Sequence, residues 1–189
     1  MERIILLRGI NVGGHRKVPM AELRDALVAG GFDSARTYIQ SGNVVVEGGP
    51  TDDGASEALV ARLIGDHFGV ADVGVIARSH DRLQRARTVS EQAFPMADDE
   101  ADDHGRRVHV VFLARPPEPT RRASLHPDEF APDRFILDIH EGAAELHVAY
   151  AEGAGRSRLT TERIERSLGV RATGRNLNTI DRVLEMVSH

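Results

Sequence analysis

A loop rich in glycine and basic residues near the start of the chain is its strongest candidate for chemistry. Residues 9–17 follow a short apolar run and hold three glycines and the chain's single lysine, Lys17. The spacing approaches that of a P-loop, but a P-loop needs lysine and then serine or threonine where this chain has His15 and Arg16. A nucleoside-triphosphatase site is therefore excluded. The backbone N–H groups of such a loop can still bind an anion. The alternative is a flexible loop in which the glycines only allow the chain to turn. The candidate ligand-binding residues here are Arg8, Asn11, Gly13, Gly14 and Lys17.

Polar side chains recur at three later points where the chain changes direction. They lie at a predicted hairpin tip, in a predicted strand-to-helix loop, and just before a predicted last helix. Each pattern also has a structural interpretation, because amides satisfy turns and because Thr160 and Asn178 suit helix N-caps. Arg175 and Asn176 have no evident structural role, which favours a functional one. The candidate ligand-binding residues in these clusters are Gln40, Ser41, Asn43, Arg156, Ser157, Arg175, Asn176 and Asn178.

Several kinds of catalytic site are excluded or unsupported by the sequence. The chain has no cysteine, so disulfides, thiol nucleophiles and cysteine metal sites are excluded. Its nine histidines form no H-x-x-x-H or H-E-x-x-H pair, and no metal site is predicted. Ser41 and Ser157 lack a G-x-S-x-G elbow, and no general base is tied to the candidates by spacing. Catalysis and cofactors are therefore left open.

The composition predicts a folded protein with a substantial core. Its 189 residues fit one large domain or two small halves, and 41% of them are hydrophobic. A net charge of -5 argues against a broad basic surface for nucleic acid. No apolar run approaches the roughly 20 residues that cross a bilayer, and the run at residues 4–7 is too short for a signal peptide. We expect a cytoplasmic location and no membrane partner.

Apolar periodicity and turn residues predict an α+β fold made of two ferredoxin-like halves with antiparallel sheets, plus a C-terminal helix. In both halves the expected order of elements is β-α-β-β-α-β. The first half has predicted strands at 4–7, 37–40, 43–46 and 73–77, and helices at 19–30 and 55–68. The second has predicted strands at 108–113, 135–139, 144–150 and 170–173, and helices at 120–125 and 159–168.

The predicted division is a first half at residues 1–78, a connection at 79–106 and a second half with the terminal helix at 107–189. The connection is expected to hold a helix at 81–89 and an acidic run at 98–103. Such a run is typical of a solvated loop, and a carboxylate metal cage is the weaker alternative.

Several segments together resemble a known family, the domain of unknown function 1697. They contain the motifs LLRGINVGG and YIQSGNV and lie at residues 6–14, 18–23, 37–44, 155–160, 175–176 and 178–179. The resemblance covers essentially the whole chain and implies a fold but no activity. His15 stands where family members tend to have lysine, and Leu177 where they tend to have tryptophan. Roles that need a second lysine or a stacking ring are therefore not implied here.

The ferredoxin-like strand order predicts where the candidate residues meet. The loop after the first strand and the hairpin between strands two and three lie at one end of the first sheet. Arg8, Asn11 and Lys17 should therefore converge on Gln40, Ser41 and Asn43. The same tracing groups the candidates of the second half, and we expect both groups to face one cleft between the halves.

The favoured function is binding of a small anionic or phosphorylated ligand at the basic glycine loop, by a binding protein or an enzyme. One alternative is a nucleic-acid-binding module that contacts phosphates, which steep salt dependence would reveal. Another is a protein-interaction or oligomeric structural protein.

Overall fold

A computed structural model describes residues 2–11, 17–40, 42–96 and 101–187, apart from the side chains of 101 and 102. The chain forms two compact units. Unit 1 comprises Met1–Leu83 with Arg182–His189, and unit 2 comprises Gln84–Asp181. The domain boundaries predicted from the sequence stay a prediction. Within the described ranges no helix has the length and apolar character needed to span a bilayer.

Unit 1 contains a four-stranded antiparallel sheet in the order β2-β3-β1-β4. This is the ferredoxin-like order, and the predicted β-α-β-β-α-β sequence of elements is confirmed. The elements are β1 (Glu2–Arg8), α1 (Met20–Ala29), β2 (Phe32–Tyr38), β3 (Asn43–Gly48), α2 (Asp53–Phe68) and β4 (Gly74–Arg78).

One face of this sheet forms a core with the two helices. Ile5 and Leu7 of β1 belong to a cluster of buried apolar residues that includes Leu23 of α1 and Ile64 of α2. These side chains recur at the period of two in the strand and at helical spacing in the helices, as an amphipathic packing arrangement requires. The core therefore fixes α1 across the sheet and sets where its first turn lies.

The hairpin of unit 1 is longer than the sequence indicated. The prediction of strands at 37–40 and 43–46 around a two-residue turn is wrong at its first strand. That strand begins at Phe32, ends at Tyr38 and pairs Tyr38 with Asn43, so four residues form the loop. Ile39 has a φ of 51°, which takes the chain out of extended geometry. A residue of high β-propensity is thus excluded from the strand by its backbone conformation.

Unit 2 contains a second four-stranded antiparallel sheet, in the order β6-β7-β5-β8, which is again the ferredoxin-like order. The α+β fold class with two such sheets and a C-terminal helix is confirmed. The remaining elements of the chain are α3 (His80–Ala93), α4 (Ala101–Arg107), β5 (Val108–Leu113), β6 (Arg134–His140), β7 (Ala143–Ala149), α5 (Thr161–Leu168), β8 (Ala172–Asn176) and α6 (Leu177–Met186).

The connection from β5 to β6 differs from the predicted helix at residues 120–125. It contains two short 3₁₀ turns, Pro119–Arg121 and Pro127–Phe130. Proline suits the first turn of a helix but removes backbone donors and clashes with a preceding turn, so closely spaced prolines keep these helices short. The acidic run also differs in part. Residues 98–100 lie outside the described residues, and Asp103 lies in α4 and not in a loop.

A buried histidine lies inside unit 2. The His147 side chain in β7 is 0% exposed, and its Nδ1 lies 2.7 Å from the Ser90 Oγ of α3. Its Nε2 is buried without a hydrogen-bond partner. Burial lowers the pKa of His147 to about 4; nearby Asp138 opposes this shift and Arg85 adds to it. The ring is therefore neutral in the folded protein at neutral pH.

This histidine should make unit 2 less stable in acid. Between pH 6.5 and about 4 the unfolded chain protonates His147 and the folded chain does not. The free energy of unfolding then falls as the pH is lowered, by up to about 1.4 kcal/mol per pH unit. We expect His147→Gln to flatten this slope in urea denaturation from pH 7 to 4.5. The control His126→Gln replaces an exposed histidine and should keep the parent slope; parallel slopes for all three proteins would contradict the assignment.

Candidate functional site

A groove in unit 1 brings together residues from the loop after β1, the start of α1 and the end of β2. Its volume is about 660 Å³, within the range of small-molecule pockets. Three sequence-predicted site residues, Asn11, Lys17 and Gln40, meet there. We call it the Lys17 groove; its lining residues are Asn11, Lys17, Val18, Pro19, Met20, Ala21, Thr37, Ile39 and Gln40.

The Asn11 side chain holds the two walls of the groove together. Its Oδ1 accepts a hydrogen bond from the Val18 N–H at 2.8 Å, and its Nδ2 donates to the Val18 carbonyl at 3.0 Å. The same Nδ2 donates to the Gln40 carbonyl at 3.0 Å. Asn11 has a φ of 54°, a left-handed conformation that asparagine tolerates better than most residues. Asn11 is thus a positioning residue for the groove.

The hairpin tip is fixed against the end of β1. The Leu7 N–H donates to the Gly42 carbonyl at 2.8 Å. Gly42 has a φ of 84°, and a Cβ there would lie 2.6 Å from the Leu7 Cβ, so only glycine fits. Asn43 is 1% exposed and donates to the Tyr38 carbonyl at 3.2 Å. Its amide therefore supports the hairpin, the structural interpretation left open by the sequence.

The remaining candidate residues of unit 1 are not among the described lining residues of the groove. Arg8 ends β1 opposite Gly74 of β4 and is not among the lining residues of the groove. Gly13, Gly14 and Ser41 lie outside the described residues.

The described lining of the Lys17 groove carries positive charge and no negative charge. Lys17 is exposed, and it is the single charged residue among the described lining residues, which include no carboxylate. At the adjacent wall Arg24 Nη1 donates to the Thr37 Oγ1 at 2.7 Å. A second cation is therefore held beside the groove.

The first turn of α1 adds backbone donors to the same wall. The sequence predicted Pro19 as the first helical residue, but α1 begins at Met20 and Pro19 is its N-cap. The Pro19 side chain offers no hydrogen-bond acceptor to the first turn. The N–H groups at the start of a helix are left without intrahelical partners. Met20 and Ala21, which supply such groups, line the groove.

The groove also has an apolar wall that sequence reasoning missed. Val18, Pro19, Met20, Ala21 and Ile39 all line it. Ile39 is 52% exposed and has a φ of 51°, a conformation that costs a residue with a Cβ roughly 1–2 kcal/mol. Its strand-like sequence gave no signal of this conformation, because the turn that imposes it depends on the register of β2 with β3.

The candidates of the strand-to-helix loop in unit 2 have structural contacts. The Ser157 hydroxyl donates to Asp133 Oδ2 at 2.6 Å and accepts from the Leu159 N–H at 2.8 Å. Arg156 is largely exposed, with Glu152 at 3.9 Å. Thr160 caps α5 by accepting from the Arg163 N–H, which confirms the predicted cap.

The candidates at the end of β8 also have structural contacts. Arg175 is 8% exposed and donates to the Thr173 Oγ1 and the Gly174 carbonyl, each at 2.8 Å. Burial lowers its pKa to about 10. Asn176 Oδ1 accepts from the Thr179 N–H at 2.9 Å. The residue that caps α6 is therefore Asn176, and the prediction of Asn178 as its N-cap is wrong because β8 continues to Asn176.

The predicted grouping within unit 2 stays a prediction, although the ends of β7 and β8 both lie at the start of β5. Ser157 is tied to Asp133, the residue before edge strand β6, whereas Arg175 and Asn176 lie in β8 at the other edge of the sheet. Strands β7 and β5 lie between them. A cleft shared by both groups of candidates stays a prediction. Across the described part of the chain no group of three or more histidine, aspartate or glutamate residues could hold a metal ion.

Comparisons with known proteins identify a family and a fold. The model of a family described as "Protein of unknown function (DUF1697)" matches residues 1–141. No curated protein matches the chain. The solved structure of the conserved bacterial protein SP0830 from Streptococcus pneumoniae has a TM-score of 0.61 and 21% sequence identity, over 98% of this chain and 97% of that one. At this identity the likeness shows the fold alone.

The Asn11 contacts predict a cost for removing this side chain. Asn11→Gly keeps the positive φ but removes three hydrogen bonds, so the free energy of unfolding should fall by about 1–3 kcal/mol in urea denaturation. Asn11→Asp keeps the acceptor for Val18 N–H and loses both donors, and its stability should fall as well. An Asn11→Gly protein as stable as the parent would show that the loop is held by other contacts.

The cap of α6 gives a matched pair of variants. Asn176→Ala removes the acceptor of the Thr179 N–H and should lower the free energy of unfolding by about 1 kcal/mol. Asn178→Ala truncates an exposed neighbour and should change it by less than about 0.5 kcal/mol. Thermal and urea denaturation measure both, and the reverse order of effects would restore Asn178 as the cap.

Proposed function

This chain belongs to the DUF1697 family of proteins of unknown function, and we propose that its Lys17 groove binds a small anionic ligand, such as a phosphorylated one. The observation that carries the proposal is the positive charge of the groove. Lys17 is its single charged residue among those described, and no carboxylate lines it. A site of this size with one cation selects a ligand of opposite charge.

The lysine is available for such a ligand. It is exposed, and its ammonium has no hydrogen-bond or ion-pair partner among the described residues. A charge-assisted hydrogen bond to phosphate or carboxylate is stronger than a neutral one. Met20 and Ala21 of the first turn of α1 line the same wall, and the helix dipole favours negative charge near this N-terminus.

The other groove residues divide by role. Gln40 lines the groove, and we assign its side-chain amide to orienting the ligand. Asn11 acts through the loop that it holds, because its amide is already bonded to Val18 and to the Gln40 carbonyl. Gly13, Gly14 and Ser41 lie outside the described residues and stay sequence-based predictions as ligand contacts. Arg8, Asn43, Arg156, Ser157, Arg175, Asn176 and Asn178 stay untested as ligand contacts.

Removing the lysine charge tests this proposal. We expect Lys17→Ala to weaken binding of inorganic phosphate, measured by isothermal titration calorimetry, by about 1–3 kcal/mol. Lys17→Arg should retain most of the affinity. The melting temperature should change little, because the side chain is exposed.

The control Arg62→Ala removes the same charge from an exposed position on α2 and should bind phosphate as the parent does. Equal affinities for Lys17→Ala and Arg62→Ala would contradict the role of Lys17. A steep loss of affinity for oligonucleotides with salt, together with no phosphate binding, would favour a nucleic-acid-binding module instead.

A further inference from the structure

Ile39 has two unfavourable features in the same residue. Its φ is 51°, and it is the only β-branched residue with a positive φ among those that the structure describes. Its side chain is also 52% exposed, so burial does not offset the strain. Glycine or asparagine would fit this turn position without that strain. Strained conformations of this kind cluster at binding sites, which makes Ile39 a functional candidate.

The position of Ile39 indicates what it could contact. It lines the Lys17 groove at the end of β2, together with Pro19, Met20 and Ala21 at the start of α1. These four side chains are apolar and carry no charge. Lys17 and Gln40 supply the polar part of the same groove. One cavity thus combines a cation with an apolar wall.

We propose that the ligand of the Lys17 groove is an organic anion with an apolar body, namely a phosphate or carboxylate attached to an aromatic ring or a short alkyl group. The anionic group binds at Lys17, and the apolar body packs against Ile39 and Met20. This inference rests on the proposed anion-binding function and specifies its substrate class. Ile39 is then a specificity-determining residue.

The lining of the groove separates this ligand class from two others. A bare inorganic anion would contact Lys17 and leave the apolar wall in water. A polyanion such as a nucleic-acid strand would need several cations along its path, whereas the described part of the groove offers Lys17 in its lining and Arg24, bonded to Thr37, beside it. An anion with an apolar body satisfies both parts of the groove.

Matched ligand pairs test the class. With the full chain, calorimetry should give phenyl phosphate an affinity about tenfold higher than that of inorganic phosphate, or benzoate an affinity about tenfold higher than that of acetate. The pair that shows the difference identifies the anionic group. If phosphate or acetate binds but neither aromatic partner binds more tightly, this inference is overturned and the anion proposal stands. If none of the four binds, both proposals fail.

The Ile39→Gly variant distinguishes a role of Ile39 in contacting the ligand from a role in the fold alone. The variant should melt roughly 2–4 °C higher because the strain is relieved, yet lose most of the tenfold preference for the aromatic anion and keep the affinity for the small one. The control Glu141→Gly relieves a positive φ of 48° at the β6–β7 turn of unit 2 and should keep the preference. An Ile39→Gly protein that melts lower and keeps the full preference would assign Ile39 to structure alone and overturn the inference.

Discussion

The burial of β1 on both faces is the constraint on which unit 1 depends. Ile4, Ile5, Leu6 and Leu7 are 0–1% exposed, so the N–H and C=O groups of this strand need partners within the protein. β3 supplies them on one side and β4 on the other. A strand paired on both sides is central, and the antiparallel pairing with β3 brings the hairpin tip to the end of β1. The Leu7–Gly42 hydrogen bond continues that ladder to the tip.

The Lys17 groove follows from this arrangement. Once the end of β1 and the hairpin tip are adjacent, the Asn11 amide can bond both Val18 and Gln40, although Gln40 lies 29 residues away. The core then places the first turn of α1 beside the same point. Lys17, the first residues of α1 and an apolar wall therefore line one groove. Ile39 lies where the hairpin meets this groove, in a conformation that glycine or asparagine would fit better.

Unit 2 has the same strand order but uses its polar residues differently. Ser157, Arg175 and Asn176 direct hydrogen-bonding groups to neighbours within the unit. Polar groups in such places lose hydration on folding and need internal partners, so their contacts account for them structurally. The contrast with Lys17, which has no partner among the described residues and lines a cavity, makes unit 1 the favoured location for ligand binding.

The sequence by itself determined the elements whose signals are local. The periods of apolar residues predicted the strands, most helices and the ferredoxin-like order of elements, and Thr160 was correctly identified as a cap. Tertiary structure decided what depends on pairing register and on contacts distant in sequence. The cap of α6 is Asn176 and not Asn178, because β8 extends to Asn176. Ile39 lies outside β2, because the pairing of β2 with β3 ends at Tyr38 and Asn43. The predicted convergence of Asn11, Lys17 and Gln40 came from topology, but the apolar wall beside them arises only when α1 packs against the hairpin. Composition encodes which residues can be buried, whereas only the folded chain fixes which remain exposed together.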